Sequence, residues 1–225
     1  MLKQAWLESG CVYGYRKLTL DMRDLGERCG KHRVARLLRR EGIRSQTGYR
    51  RRAGGRGGKP AVVAPNHLNR QFTPDGVNRS WVTDITYIRT HEGWLYLAVV
   101  LDLFSRQVVG WSMQAHMQSS LVTDALRMAW FRRAPEPGLV FHSDRGSQYC
   151  GHEFQSALKG YKMKSSMSRK GDCWDNAPTE SFWGRLKVGR LYGQRFATRR
   201  QAMDEVIDWM TFYNHRRIHS TLAGC

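Results

Sequence analysis

Residues 94–104, Trp-Leu-Tyr-Leu-Ala-Val-Val-Leu-Asp-Leu-Phe, form a nearly continuous apolar run. A run without polar alternation is expected of a strand buried on both faces. The β-branched and aromatic stretch Trp81-Val82-Thr83-Asp84-Ile85-Thr86-Tyr87-Ile88 precedes it across the turn His91-Glu92-Gly93. The turn Ser105-Arg106-Gln107 follows it and leads into Val108–Met113. Together these predict a three-stranded antiparallel meander. Downstream the pattern predicts a helix over 120–132, a short strand over 138–142, a helix over 147–159 and a last strand over 161–167. A loop over 168–177 and helices over 178–190 and 197–217 complete the reading. Strands first, then helix alternating with strand, predict a mixed-sheet α/β domain.

Upstream the chain changes character. Residues 53–77 contain Ala-Gly-Gly-Arg-Gly-Gly-Lys-Pro and then a polar stretch with Pro65 and Pro74, which reads as a linker. The expected division is therefore a small domain over 1–52, a linker over 53–77 and a second domain over 78–225. In the first, Val34, Leu37 and Leu38 repeat at helical spacing, while Arg33, Arg36 and Arg40 line another face and Gly42 ends the helix. A shorter helix around Leu18–Met22 and a break at Gly26 and Gly30 precede it. Two short helices, a glycine turn and a basic second helix suit a helix-turn-helix. The same pattern equally describes a solvated basic face on a small helical domain.

Charge narrows the partner. Lys and Arg number 37 against 19 Asp and Glu, a formal net charge of +18. Residues 1–52 carry half of that excess, with 14 basic and five acidic residues. Such a balance points to nucleic acid or an anionic membrane. No apolar run is long enough to span a bilayer, and Met-Leu-Lys-Gln-Ala-Trp has no apolar leader core, so nucleic acid is the favoured partner and the cytoplasm the expected compartment. The five cysteines form no C-x-x-C pair and fit reduced thiols, and neither they nor the histidines form a zinc pattern.

Three acids stand where metal chemistry would use them. Asp84 lies inside the first strand among apolar neighbours, Asp144 follows the short strand, and Glu180 falls in the first turn of a helix that Pro178 helps to start. An acid in a buried strand is costly unless it is paired or binds a cation. Each alone also reads as an ordinary core or turn residue. Cleaving or transferring a DNA phosphodiester needs an activated attacking oxygen and a stabilised leaving oxygen, which two metal ions supply together. Magnesium prefers oxygen ligands, so a few carboxylates suffice. Glu180 and Lys187 are seven residues apart and share a helix face, which suits an acid at the metals and a cation on DNA, and suits an ordinary charge stripe as well.

These motifs carry a resemblance. Trp81-Val82-Thr83-Asp84-Ile85-Thr86-Tyr87, Val100-Leu101-Asp102-Leu103-Phe104-Ser105-Arg106, His142-Ser143-Asp144-Arg145-Gly146-Ser147-Gln148-Tyr149 and Asp175-Asn176-Ala177-Pro178-Thr179-Glu180-Ser181-Phe182-Trp183-Gly184-Arg185-Leu186-Lys187 resemble bacterial insertion-sequence transposases with a retroviral-integrase-like core. Their D,D(35)E spacing is met, because 35 residues separate Asp144 from Glu180. Tyr13-Gly14-Tyr15-Arg16 and Arg33–Leu38 resemble the helix-turn-helix-like segment ahead of that core. Tyr213-Asn214 with Arg217 and His219 resembles its C-terminal helix.

The resemblance implies an RNase H-like fold with a small N-terminal helical domain. It implies that Asp84, Asp144 and Glu180 are the catalytic acids and ligate two magnesium or manganese ions. It implies cleavage and strand transfer of element ends into target DNA by an oligomer. Asp102 belongs to the matched pattern as a turn or supporting residue. The candidate DNA contacts are Lys187 and Arg185, Arg169 and Lys170 in the loop before the catalytic helix, and Arg33, Arg36 and Arg40. Family members extend upstream, and many are made as frameshift fusions with a separate helix-turn-helix unit. The chain stops at Thr221-Leu222-Ala223-Gly224-Cys225, where the family continues. Two expectations follow: a second-frame product that works with an upstream-frame partner, or a truncated DNA-binding remnant or inhibitor.

Overall fold

The structure, a computed structural model, describes residues 1–45, 63–169 and 173–216. These fall into two compact units, one within 1–52, 184–194 and 215–225 and the other within 53–183 and 195–214.

The first unit holds α1 (Leu2–Glu8), α2 (Tyr15–Asp24) and α3 (Lys31–Arg40). Ala5, Tyr13, Leu18, Met22, Val34 and Leu38 form its buried interior. The spacing of Val34 and Leu38 on α3 turns one stripe inward, and Arg33, Arg36, Arg39 and Arg40 are left exposed. The helix over Leu2–Glu8 was not anticipated from the sequence. Its seven residues bury only Ala5, so its apolar stripe is too short to read.

The second unit is built on five strands: β1 (Ser80–Thr90), β2 (Gly93–Asp102), β3 (Val108–Gln114), β4 (Val140–Ser143) and β5 (Lys164–Met167). Their order across the sheet is β3-β2-β1-β4-β5. The first three form the expected antiparallel meander, with Tyr87 opposite Tyr96 and Val100 opposite Gly110. β4 pairs in parallel with β1, and β5 in parallel with β4, so the sheet is mixed. Residues 95–101 of β2, at the centre of the meander, are all buried except Tyr96, as the apolar run predicted. Asp102 closes β2. One of its oxygens accepts the Phe104 and Ser105 N–H groups, and the other accepts the Asn78 N–H and the Trp81 indole N–H. It is a turn residue, as its place in the pattern suggested.

Helices α4 (Ser119–Arg133) and α5 (His152–Gly160) cover one face, burying Leu121, Val122, Ala125, Leu126 and Phe154 against Trp81, Ala98, Val100 and Phe141. Alternation along β1 turns Asp84 to the other face from Trp81. There, α6 (Ala177–Leu186) and α7 (Arg199–His215) meet through the rings of Phe182, Trp209 and Tyr213, with Phe182 and Tyr213 centroids 5.0 Å apart. The Asn214 amide clamps β3 by accepting the Val108 N–H at 2.9 Å and donating to the Val108 carbonyl at 3.0 Å. Arg217 and His219 lie outside the described residues, as do 218 and 220–225.

Several boundaries differ from expectation, and the last strand, expected over 161–167, begins only at Lys164. Residues 147–151 are a turn rather than the start of a helix, because the Tyr149 and Cys150 N–H groups both bond back to the Gly146 carbonyl. The helix expected over 178–190 ends as an α-helix at Leu186 and continues as a π-helical turn, Lys187–Leu191. Residues 46–62, the end of the expected first domain and the start of the expected linker, are not described. Residues 63–77 contain neither helix nor strand, yet they are fastened to the sheet. Leu68 is buried, and the His67 and Leu68 N–H groups donate to the Ser166 hydroxyl of β5.

The approach of β3 to α4 depends on Gly110. A β-carbon there would stand 2.3 Å from the Ala125 carbonyl oxygen and 2.7 Å from the Ala129 nitrogen, both rigid helix backbone. Gly110→Ala is expected to lower unfolding free energy by about 2 kcal/mol or more in urea denaturation. A midpoint equal to that of the parent chain would show that the helix yields without cost.

Candidate active site

The parallel pairing of β1 with β4 builds the site. Val82 stands opposite His142. β4 ends at Ser143, so Asp144 directly follows the strand that pairs in parallel with the one carrying Asp84. Desolvation, and then the charges of Asp84 and Asp144, raise the pKa of the buried Tyr149 phenol well above its ordinary value, so both acids lie within electrostatic reach of it. Its hydroxyl lies 3.2 Å from that of Thr83, which donates to the Val99 carbonyl.

Each carboxylate is held by groups nearby. Asp144 Oδ1 accepts the Gly146 N–H at 2.8 Å. A β-carbon on Gly146 would stand 2.9 Å from that oxygen, so the glycine is what lets the carboxylate fold back over the turn. Burial pushes the Asp144 carboxyl up, and the Gly146 hydrogen bond opposes this. Asp84 Oδ1 accepts the Ile85 N–H at 2.8 Å, and Oδ2 accepts the indole N–H of Trp183 at 2.9 Å. Trp183 is 1% exposed on α6 and lies one helical turn beyond Glu180. The catalytic-helix candidate is thereby fastened to the first acid. Glu180 is half-buried in the first turn of α6.

Among the described residues, no group of three or more His, Cys, Asp or Glu side chains is gathered to hold a metal ion. The structure puts Asp84 and Asp144 within and just after two paired strands and fastens the helix of Glu180 to Asp84, without gathering all three into one ligand group. The donor chemistry suits a hard divalent cation, because all three side chains offer carboxylate oxygens.

The predicted DNA contacts separate. Arg33, Arg36 and Arg40 are exposed on α3. Arg185 lies in the last turn of α6, and Lys187 opens the π-helical turn after it. Arg169 is half-exposed, and its guanidinium is engaged with Asp175. Lys170 lies outside the described residues.

Two features were missed by reading the sequence. Asp175, read as a loop residue, is fully buried. It accepts hydrogen bonds from Arg169, Arg70 and Asn66, and the Arg169 guanidinium above all holds its carboxyl well below the usual carboxylate range. His142 is fully buried beside it. Ser166 Oγ already accepts two backbone N–H groups, so its own hydrogen goes to His142 Nδ1, 2.9 Å away. The Nε2 atom of His142, left with the ring proton, makes no hydrogen bond of ordinary geometry, although it feels the Asp175 main chain. No motif signals either feature, because Arg169 is six residues from Asp175 in a loop, Asn66 and Arg70 are about a hundred residues away, and Ser166 is on another strand from His142.

Comparison with known proteins agrees with this geometry. The Integrase core domain family matches residues 74–173, a second Integrase core domain family matches 161–225, and an HTH-like domain family matches 2–53. The chain is 41% identical over 221 residues to the transposase InsF for insertion sequence IS3A of Escherichia coli strain K12, spanning 98% of this chain and 77% of that protein. It is 40% identical over 224 residues to the insertion element IS600 uncharacterized 31 kDa protein of Shigella sonnei, spanning 99% of this chain and 82% of that one. The chain belongs to the insertion-sequence transposases with an integrase core. Such transposases are DDE-type polynucleotidyl transferases, and the mixed sheet with an N-terminal HTH-like domain is their fold. A chain of the simian T-cell lymphotropic virus intasome in complex with PP2A regulatory subunit B56 gamma shares that fold, with a TM-score of 0.55 at 17% identity over 99% of this chain and 71% of its own.

His142 gives the transposase a pH-dependent stability. Burial lowers its imidazole from an ordinary 6.5 to about 4, against an opposing pull from the Asp175 charge. The folded chain thus favours neutral histidine. That contribution is complete above the unfolded value and is lost as pH falls from about 6.5 to about 4, amounting to about 3 kcal/mol. His142→Gln is expected to flatten the slope of unfolding free energy over this window, whatever its effect at neutral pH. An unchanged slope in denaturant titrations at several pH values would assign the dependence to other groups.

Proposed function

We propose that this transposase cleaves DNA at the ends of an insertion sequence and joins those ends to target DNA, with Asp84, Asp144 and Glu180 as its catalytic acids. The same three carboxylates would hold two magnesium or manganese ions. The observation that supports this best is the Trp183 hydrogen bond that fastens the Glu180 helix to Asp84, together with the parallel pairing of the Asp84 strand with the strand that leads into Asp144. The ions, when bound, would activate the attacking oxygen and stabilise the leaving one.

The chain's own groups prepare that chemistry. Trp183 and the Ile85 N–H hold the Asp84 carboxylate in one orientation, and the Gly146 N–H holds that of Asp144. Preset orientation of this kind lowers the cost of reaching the reactive geometry. The exposed arginines of α3, Arg33, Arg36 and Arg40, contact the phosphates of the element-end duplex, as do Arg185, Lys187, Arg169 and Lys170 nearer the cut. The domain plan is a basic recognition domain over 1–52, a connecting segment and a catalytic core from about residue 78. Two DNA ends must be bridged, so the working form is an oligomer on DNA, with an upstream-frame helix-turn-helix protein as a further partner, in the bacterial cytoplasm at the nucleoid. No helix among the described residues is long and apolar enough to cross a membrane.

Asp144→Asn is the direct test. With magnesium present, strand transfer is expected to fall by on the order of 10³-fold or more, while affinity for element-end DNA stays within about threefold. Full activity in the variant would remove Asp144 from the chemistry, and binding without chemistry in the parent chain would favour a DNA-binding remnant. Binding itself is expected to be salt-sensitive. Affinity should drop by roughly 10³-fold when salt is raised about fourfold from low ionic strength, because each neutralised phosphate releases counterions. A flat profile would contradict the backbone contacts.

A further inference from the structure

The carboxylate of Asp175 is spent in a way that the chemistry above does not require. It is fully buried at the end of the 3₁₀ turn Cys173–Asn176, five residues ahead of Glu180. Five donors converge on it: the Arg169 main-chain N–H at 2.9 Å, Arg169 Nε at 3.0 Å, Arg169 Nη2 at 2.8 Å, Arg70 Nε at 2.8 Å and Asn66 Nδ2 at 3.0 Å. A carboxylate offers about four lone-pair sites, so this one is saturated. Helix α6 begins two residues later.

The donors come from segments far apart in the chain. Asn66 and Arg70 precede β1, in the stretch between the HTH-like and Integrase core domain matches. That stretch is itself rigidly seated. Ser166 of β5 accepts the His67 and Leu68 N–H groups, and the Asn69 N–H donates to Asn66 Oδ1, which turns the Asn66 amide nitrogen toward Asp175. β5 connects in turn to the Asp144 strand. The Ser168 N–H donates to the Ser143 carbonyl, and Arg145 Nε donates to the Ser168 carbonyl. A continuous set of charge-assisted and backbone hydrogen bonds therefore runs from the end of β4 through residues 66–70 to the start of α6.

We propose that Asp175 is a positioning residue for Glu180. With Asn66 and Arg70 it pins the start of α6 to the segment before β1, and so sets the stance of the helix that carries the third acid. The inference rests on Glu180 acting as proposed above. It assigns residues 66–70 to the catalytic apparatus although they lie outside the family matches. Replacing the carboxylate removes the acceptor that Arg70 and Arg169 share, and replacing Arg70 removes one donor from a site more than a hundred residues away in sequence.

The test uses the full chain with Asp175→Asn, Arg70→Ala and Arg70→Lys, read by amide hydrogen exchange and by strand transfer. In Arg70→Ala and Asp175→Asn, the amides of residues 178–183 are expected to exchange about tenfold faster or more, while those of β1 and β2 stay within about threefold of the parent. Arg70→Lys, which keeps the charge, should fall between Arg70→Ala and the parent. Turnover should drop by about tenfold or more in the first two variants, with the DNA concentration for half-maximal rate unchanged within about threefold. Unaltered exchange in α6 in both variants would overturn the proposal, as would a uniform rise across the sheet. The exchange measurement decides the matter even if the parent chain shows no strand transfer, an outcome that would instead strike at the proposed chemistry.

Discussion

A carboxylate inside a buried strand, and another just past the end of the neighbouring strand, are unfavourable things to build. Asp84 lies within β1 and Asp144 directly follows β4, its parallel partner, and burial pushes the Asp144 carboxyl upward. Removal from water is a cost for the charged form of each. The surroundings offset part of it with three N–H donors, from Ile85, Gly146 and Trp183. A fold that sustains such a pair has reason to do so when a cation completes it, and the family to which the chain belongs performs phosphodiester chemistry.

The rest of the second unit keeps that pair in place. β2 is buried along nearly all its length, so a slip of the strand beside β1 would break the packing of Leu95, Leu97 and Val99. Asp102 ties the far end of β2 back to Trp81 and Asn78. On the face bearing Asp84, Phe182 packs against Trp209 and Tyr213, which holds the adjacent Trp183 where its indole meets the carboxylate. Hydrophobic packing thus fixes a polar contact, and the polar contact orients the acid.

Much of this was legible in the sequence, and the reasons are local. The meander could be read because its strands are β-branched and its turns carry Gly93 and Arg106, at φ of 109° and 60°. The acids stood out because Asp84 interrupts an apolar strand and Glu180 opens a helix. The burial of Trp183 had no signal in the sequence, because an indole satisfies both an apolar neighbourhood and an acceptor. The Asp175 cluster was invisible. Its donors at 66 and 70 sit in a stretch whose prolines and polar residues read as a linker, and single-sequence patterns carry no signal for pairings across a hundred residues. The π-helical turn after Leu186 also escaped notice, since the helical spacing of apolar residues runs on through it.

The proposed chemistry requires three acids, one within a strand, one just after a strand and one on a helix, to grip cations together. Manganese binding to the DNA-bound chain, followed by electron paramagnetic resonance, measures this without reference to turnover. The account predicts two bound ions, with Asp84→Asn and Glu180→Gln each losing at least one. Equal manganese uptake by the parent and both variants would contradict it.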